Sequence, residues 1–319
     1  MASWKPSSLL LFGATGTIGR FIAQSILAAR PALGSPRITV FTSPAPSGAK
    51  AELLRGWEAA GVSVITGDVA SAADVARAYA SSGADTVISS LGRDAIGAQA
   101  EMIRQAERSG SVRWFLPSEF GTDTQHGERS AHERPHQAKR MVHRLVRDEV
   151  RRLKVTYVVT GPYFDMWADT PALRDALGGF DVGGRRAVVA GDGEQKISFT
   201  TKTDVGRAVV AALQHPEAAA GRTLRVASFV VSPNQVRAEY EAQAGGPFDT
   251  RYIPLTEFEA LERALWEEGR QPNATIATLR RIWATGGAEY PELDNAAIGL
   301  GEDGLESLSE AVRQQIEGK

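Results

Sequence analysis

A glycine-rich segment near the N-terminus constrains the fold more than any other feature of this 319-residue chain. It reads Gly13-Ala14-Thr15-Gly16-Thr17-Ile18-Gly19, follows an apolar run at residues 9–12 and precedes an amphipathic stretch. A buried strand, a glycine turn and a helix in this order form an anion-binding corner, because the amides and the dipole at the helix N-terminus face the anion. The segment therefore predicts a site for the pyrophosphate of a nicotinamide dinucleotide.

Each residue of this loop has an expected part in binding. Gly13 permits the tight turn, Gly16 lets the backbone approach the pyrophosphate, and Gly19 lets the helix pack closely on the sheet. We expect hydroxyl contacts from Thr15 and Thr17, and packing of Ile18 beneath the loop.

Short apolar runs alternate with amphipathic stretches through the first half of the chain. The pattern predicts strands at residues 9–12, 38–42, 62–66, 86–90, 113–116 and 156–160, and helices at residues 17–29, 48–60, 72–82, 96–109 and 137–153. Such alternation is typical of parallel strands with helices on both faces. We therefore predict an α/β fold with a Rossmann-type, doubly wound parallel sheet whose ligands bind at the carboxyl ends of the strands.

The pattern changes after residue 160, where Gly161-Pro162 interrupts it. We predict a dinucleotide-binding domain at residues 1–161, a segment near 187–213 that returns to it, and a smaller, mostly helical substrate domain at 162–319. Strands at 187–189 and 196–200 would form a hairpin, because Gly191-Asp192-Gly193 supplies a turn. Helices are predicted at residues 203–213, 233–244, 256–268 and 305–315, with no regular strand between the later ones.

The end of the second strand bears on the choice between NAD and NADP. An acid there would bind the ribose 2′-hydroxyl of NAD, but the sequence is Phe41-Thr42-Ser43-Pro44. Thr42 and Ser43 could hydrogen-bond a 2′-phosphate, and Lys50 could neutralise it. This pattern favours NADP(H).

Two further strand ends are expected to contact the cofactor. Asp68 follows the third strand, where it could hold the adenine amino group or cap the next helix. Ser90, Leu91 and Gly92 end the fourth strand, where small residues would line the ribose side of the cofactor.

Composition excludes several classes of function. With no cysteine, the chain has no disulfide, no thiolate catalysis and no cysteine-ligated zinc. The formal charge of -2 indicates no general attraction to nucleic acid or an anionic membrane. Because Pro135 separates His132 from His136, no helical metal site is predicted. No signal peptide or long apolar stretch is evident, so we expect a cytoplasmic protein; its oligomeric state is left open.

Several motifs in the middle of the chain add a family resemblance. They are Trp114-Phe115-Leu116-Pro117-Ser118-Glu119-Phe120-Gly121, then Lys139, Gly161-Pro162-Tyr163-Phe164, Gly191-Asp192-Gly193 and Thr203-Asp204-Val205-Gly206. Together with the glycine loop, they resemble the NmrA-like, isoflavone-reductase-like branch of the atypical short-chain dehydrogenases/reductases. The resemblance extends over about residues 8–215.

The resemblance implies an NADPH-dependent reductase of small, often aromatic, secondary metabolites. It implies that Lys139 is the general acid/base and that Phe120 packs beside the nicotinamide, with cofactor contacts also from Ser118, Pro162 and Phe164. The family commonly carries an arginine where this chain has Ser43, so Lys50 would carry more of the 2′-phosphate binding.

The chemistry of the site rests on Lys139. Ordinary short-chain dehydrogenases use a Tyr-x-x-x-Lys pair, but Pro135 stands four residues before Lys139, so the lysine must act alone or with a group such as His136. Burial and a positively charged nicotinamide would lower its pKa toward the neutral range. An apolar substrate wall is predicted from Tyr163, Phe164, Met166 and Trp167, and core packing is an equal alternative for the same four residues.

Two other functions remain compatible with the sequence. One is an NADP-bound enzyme that catalyses a rearrangement or cyclisation of a secondary metabolite. The other is a non-catalytic redox sensor that binds the dinucleotide and signals to a partner protein.

Overall fold

The strand β1 (Ser8–Phe12) lies inside a six-stranded sheet. The structure, a computed structural model, describes residues 4–169 and 173–318. The spatial order is β3-β2-β1-β4-β5-β6, and every pairing is parallel. The other strands are β2 (Arg37–Thr42), β3 (Ser63–Thr66), β4 (Thr86–Ser89), β5 (Trp114–Leu116) and β6 (Lys154–Val155). This order confirms the predicted doubly wound Rossmann-type sheet.

Helices cover both faces of this sheet, as its continuous apolar strands require. One face carries α1 (Gly19–Ala28), α2 (Gly48–Ala59) and α8 (Lys202–Gln214), and the other carries α3 (Ala72–Ser82), α4 (Gln99–Ser109) and α5 (Gln137–Glu149). The helices α1 and α8 pack so closely that a Cβ on Gly206 would lie 2.2 Å from the Ser25 hydroxyl. The segment after residue 200 thus returns to the main sheet and packs on the face that carries α1.

The remaining strands form three small sheets outside the main sheet. They are β7 (Tyr157–Val159), β8 (Gly179–Asp181), β9 (Arg186–Ala190), β10 (Ile197–Phe199), β11 (Thr223–Arg225), β12 (Phe229–Val231) and β13 (Asp249–Ile253). The remaining helices are α6 (Phe164–Ala168), α7 (Arg174–Leu177), α9 (Pro216–Ala219), α10 (Pro233–Ala244), α11 (Leu255–Glu267), α12 (Asn273–Ala284) and α13 (Leu308–Glu317). Short 3₁₀ turns lie between β4 and α5, among them Arg93–Ala98, Glu128–Ala131 and Arg134–His136.

The predicted hairpin between residues 187–189 and 196–200 is wrong. Strand β9 pairs antiparallel with β8 and parallel with β13, whereas β10 pairs with β12. Both edges of β9 are therefore occupied, so β10 has no free edge of β9 to join. The glycine turn leads the chain from one small sheet to another.

Several other features of the structure also differ from the predictions. The strand β13 lies between α10 and α11, where no regular strand was predicted, and α12 was not predicted at all. The last helix begins at Leu308 rather than at residue 305, because Ser307 and Glu310 form a capping box. The predicted sixth strand at 156–160 lies largely outside the main sheet, where β7 pairs with β11.

Within the described ranges, no group of three or more His, Asp and Glu side chains is placed to hold a metal ion. No helix among those residues is long and apolar enough to cross a membrane.

Candidate functional site

The glycine loop adopts a conformation that only glycine tolerates at two of its positions. Gly13 has φ +72°, and a Cβ there would lie 2.6 Å from the Ser90 carbonyl oxygen. A Cβ on Gly19 would lie 2.1 Å from the Gly13 carbonyl oxygen. The Gly16 amide donates a hydrogen bond to the Gly13 carbonyl oxygen at 2.9 Å, which closes the turn.

The N-terminus of α1 has the features of an anion site. Helix α1 begins at Gly19, two residues later than predicted, and Ile18 at its N-cap position contributes no side-chain hydrogen bond. Its first turn carries no acid. The positive end of the helix dipole is therefore not offset by a carboxylate in that turn.

A cavity of about 440 Å³ opens at the carboxyl ends of β1, β2 and β3. It contains most of the residues predicted for the ribose and adenine end, and its lining includes Gly13, Thr15, Thr42, Ser43, Lys50, Asp68 and Leu91. Lys50 Nζ donates to Ser43 Oγ at 2.8 Å. The Thr42 hydroxyl is buried and has no hydrogen-bond partner among the described residues. The cavity thus has one cation, one unsatisfied hydroxyl and room for a nucleotide.

Asp68 does not cap the next helix. Its carboxylate accepts the Ala70 amide at 2.9 Å, while Ser71 is the N-cap of α3 and accepts the Asp74 amide. The carboxylate of Asp68 therefore shapes the turn that enters the cavity.

A continuous set of contacts joins the glycine loop to the Pro-Ser-Glu-Phe-Gly motif. Ser90 packs against the loop, and its hydroxyl donates to the backbone carbonyl of Phe12 at 3.0 Å. The backbone carbonyl of the next residue, Leu91, accepts a hydrogen bond from the Ser118 hydroxyl at 2.8 Å. Because these bonds use the side chains of Ser90 and Ser118, both serines hold neighbouring loops together. Gly92 is exposed at the start of the following turn.

Lys139 lies in the first turn of α5 and turns toward the motif. Its Nζ donates to the backbone carbonyl of Glu119, and a Cβ on Gly121 would lie 3.4 Å from it. Burial lowers the pKa of Lys139, and the charge of Arg93 adds to this effect. The carboxylates of Glu119 and Asp123 oppose it.

The residues predicted as a substrate wall divide into two groups. Phe164 is 1% exposed and packs edge-on against Phe199 and Phe229, and Trp167 lies in the same core. Tyr163 is partly buried and donates its hydroxyl to the Phe120 carbonyl at 2.6 Å, and Met166 is half exposed. The packing alternative therefore fits Phe164 and Trp167 better.

Two other predicted cofactor residues are also buried. Phe120 packs into the core beneath the sheet face that carries α1. Pro162 is buried, and its carbonyl accepts the Thr200 amide at 3.2 Å.

Sequence reasoning missed several groups around Lys139. Arg93 lies in the turn after β4, and its charge interacts electrostatically with Lys139 and Tyr163. Glu119 is buried within the motif, and its carboxylate lies 3.2 Å from His143 Nε2. The spacing of His143, four residues after Lys139, would have placed both on one helical face.

His136 is close to Lys139, as predicted, and is almost fully buried. Burial lowers its pKa, and the charge of Lys139 lowers it further. Its ring is therefore neutral near pH ~7 and offers no second charge to the site.

The NmrA-like family matches residues 5–270, which is most of the chain. The chain belongs to the NmrA-like family. The isoflavone reductase homolog IRL of Zea mays is 32% identical over 303 residues, covering 93% of this chain and 92% of that protein. A phenylcoumaran benzylic ether reductase of Pinus taeda is 29% identical over 300 residues and covers 92% of each chain.

Several solved structures share the fold. The binary complex of leucoanthocyanidin reductase with NADPH from Vitis vinifera superposes with a TM-score of 0.80 at 20% identity, covering 97% of this chain and 99% of that chain. An isoflavone reductase structure gives a TM-score of 0.78 at 22% identity, covering 96% and 98%.

Proposed function

We propose that this chain is an NADPH-dependent reductase of a small aromatic or unsaturated secondary metabolite, with Lys139 as its acid/base. The observation that carries the proposal is the continuous contact path from the glycine loop through Ser90, Leu91 and Ser118 to Lys139. The proposal is supported by this path because it leads to a partly buried ammonium at the same sheet edge as the 440 Å³ cavity. The reductases named among the relatives support the same reading.

The residues of the cavity fit NADPH. The α1 N-terminus and the glycine loop suit the pyrophosphate, and Lys50 with Ser43 and the unsatisfied Thr42 hydroxyl suits the 2′-phosphate. When bound, NADPH would supply the hydride.

Lys139 would hold the proton that the reduction consumes. Its ammonium is fixed by the Glu119 carbonyl, and burial weakens its hold on the proton. It can therefore protonate an oxyanion or phenolate that develops on the substrate. Tyr163 is a poor proton donor, because burial raises its pKa and its hydroxyl is bound to Phe120.

The test compares Lys139→Ala with Arg144→Ala, an exposed cation on the same helix. NADPH consumption is followed with an aromatic enone, a quinone and an aryl benzylic ether, and NADPH binding is followed by fluorescence. We expect Lys139→Ala to lower kcat about 10²- to 10⁴-fold and to leave the Kd for NADPH within about twofold. Normal turnover by Lys139→Ala would exclude the proposed role.

Deuterated NADPH separates reduction from the other two functions. Deuterium in the product means net reduction. Conversion without deuterium means a rearrangement or cyclisation, and binding without any conversion favours a sensor.

A further inference from the structure

The Glu119 side chain is buried and held from two sides. One carboxylate oxygen, Oε1, accepts the Thr124 hydroxyl at 3.2 Å, and the other, Oε2, lies 3.2 Å from His143 Nε2. The histidine contact is within ion-pair distance, although its angle departs from that of a normal hydrogen bond. Only 3% of the Glu119 side chain is exposed, so water cannot replace these partners.

His143 is itself fixed in place. Its ring stacks on Tyr157 with 3.8 Å between centroids and 15° between planes, and its Nδ1 contacts the side-chain amide of Gln125. With the Gln125 nitrogen as donor, Nδ1 accepts and Nε2 carries the proton. The Nε2–H group of the neutral imidazole therefore lies 3.2 Å from the carboxylate, as an electrostatic contact without hydrogen-bond geometry.

The same residue, Glu119, contacts Lys139 through its backbone. The Lys139 ammonium donates to the Glu119 carbonyl, and the carboxylate acts on it electrostatically. Lys139 and His143 are four residues apart on α5, so both side chains reach the motif from one helical face.

We propose that Glu119 and His143 form a positioning pair for Lys139, in which the Glu119 carbonyl aims the ammonium, its carboxylate supplies a negative charge beside it, and His143 holds that carboxylate. This inference rests on the proposed role of Lys139 and goes beyond it, because it assigns functions to two residues outside the proposed cofactor and substrate contacts.

The charges around Lys139 fix the direction of the expected effect. Burial and Arg93 favour the neutral amine, whereas Glu119 and Asp123 favour the ammonium. Among the groups that face Glu119, Tyr157 and Tyr290 stay neutral because burial raises the pKa of each phenol. Burial alone would raise the pKa of Glu119, but Lys139, His143 and Thr124 outweigh it, so the carboxylate stays charged. Removing that charge should make Lys139 release its proton more readily.

The experiment measures the titration of Lys139 without any substrate. The purified full chain is labelled with trace acetic anhydride over a pH series, and acetylation of Lys139 is quantified by mass spectrometry against that of Lys154. In Glu119→Gln we expect the Lys139 profile to move to lower pH by about one unit, which is about a tenfold gain in acetylation on the rising limb.

Two further variants keep the result interpretable. Glu107→Gln removes an acid that instead accepts the backbone amides of residues 151–153, so it should leave the Lys139 profile unchanged. His143→Phe keeps the ring over Tyr157 and removes the Nε2 contact with Glu119, so the profile should move in the same direction by a smaller amount. If Glu119→Gln does not fold, His143→Phe decides.

An unchanged Lys139 profile in a folded Glu119→Gln protein, or in His143→Phe when that variant alone folds, overturns the proposal. So does an equal shift in Glu107→Gln. Because labelling needs neither NADPH nor substrate, the outcome is independent of whether the chain proves to be a reductase.

Discussion

At the scale of single residues, Lys50 and Ser43 line the end of the cavity where the proposed function would place the 2′-phosphate that distinguishes NADPH from NADH. Their side chains are bonded at 2.8 Å, and both line the cavity. Ser43 stands where the family resemblance leads us to expect an arginine, so the half-buried Lys50 would supply the positive charge. We therefore expect a preference for NADPH over NADH that the loss of this one lysine would weaken.

Replacing Lys50 tests that preference. Lys50→Ala should weaken NADPH binding about tenfold, which is ~1.4 kcal/mol, and leave NADH binding nearly unchanged. Fluorescence titration with each nucleotide measures both values. Arg55→Ala removes one exposed charge from the same helix and serves as the control. Equal losses for NADPH in the two variants would count against a specific 2′-phosphate contact.

The titration of Lys139 predicts a pH dependence of reduction. A lysine donates a proton only below its pKa, and burial lowers this pKa from the ordinary 10.5. With NADPH saturating, the rate should therefore be highest on the acidic side and fall as the pH rises through the lowered pKa. Steady-state kcat across a pH series measures this limb, which Lys139→Arg should remove. A rate that rises over this range would contradict an acid role.

At the scale of elements, the glycine loop shows how close packing selects residue type. Gly19 begins α1 directly against the Gly13 carbonyl and the Ser90 hydroxyl. Gly56 lies inside α2 with nothing near its missing side chain. The two glycines therefore predict opposite effects of the same substitution.

Gly19→Ala should lower the free energy of unfolding by about 1–3 kcal/mol, since its Cβ would overlap backbone atoms. Gly56→Ala should raise it by about 0.5–1 kcal/mol, because alanine favours the helix. Urea denaturation followed by circular dichroism measures both. A stabilising Gly19→Ala would show that the loop can relax.

Prediction from sequence succeeded for elements whose pattern is local. Strands β1 to β5 and helices α1 to α5 lie close to their predicted bounds, because apolar runs and amphipathic periods fix them. The hairpin failed because the partner of β9 is decided by β13, about 60 residues away along the chain. Strand β13, Asp249–Ile253, is mostly exposed, so it lacks the apolar pattern that would have revealed it.

At the scale of the whole molecule, one ion cluster joins the segment before α5 to helices α11 and α12. Arg281 on α12 lies 2.7 Å from Glu133 and 2.6 Å from Glu262 on α11. All three side chains are 12–13% exposed. Glu133 precedes the turn that leads into α5, the helix that carries Lys139. The cluster therefore connects the start of α5 with α11 and α12.

Breaking this cluster should destabilise the chain strongly. Arg281→Ala leaves two carboxylates partly buried and unpaired, which should cost about 3–5 kcal/mol. The exposed pair of Arg147 and Asp148 is the comparison, and Arg147→Ala should leave stability unchanged within error. Thermal unfolding of both variants measures the difference. Equal effects would show that solvent screens the Arg281 cluster.

The candidate site was predictable to the extent that motifs mark it. The glycine loop, Lys50, Asp68 and Lys139 were singled out from their neighbours in sequence, and the structure brings several of them to one sheet edge. Whether they bind NADPH stays a prediction. Glu119, His143 and Arg93 were given no role, because neither the motif around Glu119 nor the helical spacing of His143 shows whether a side chain is buried or solvated.

The sequence by itself determined the class of the sheet, the strand–loop–helix corner at residues 9–28 and the residue types that suit a dinucleotide. These follow from local periodicity and from the few conformations that glycine alone adopts. Only the tertiary structure decided which strands pair after residue 160, that Phe164 and Trp167 are core residues, and that Glu119 is held beside Lys139. Those outcomes depend on burial and on contacts between distant segments, which no local pattern encodes.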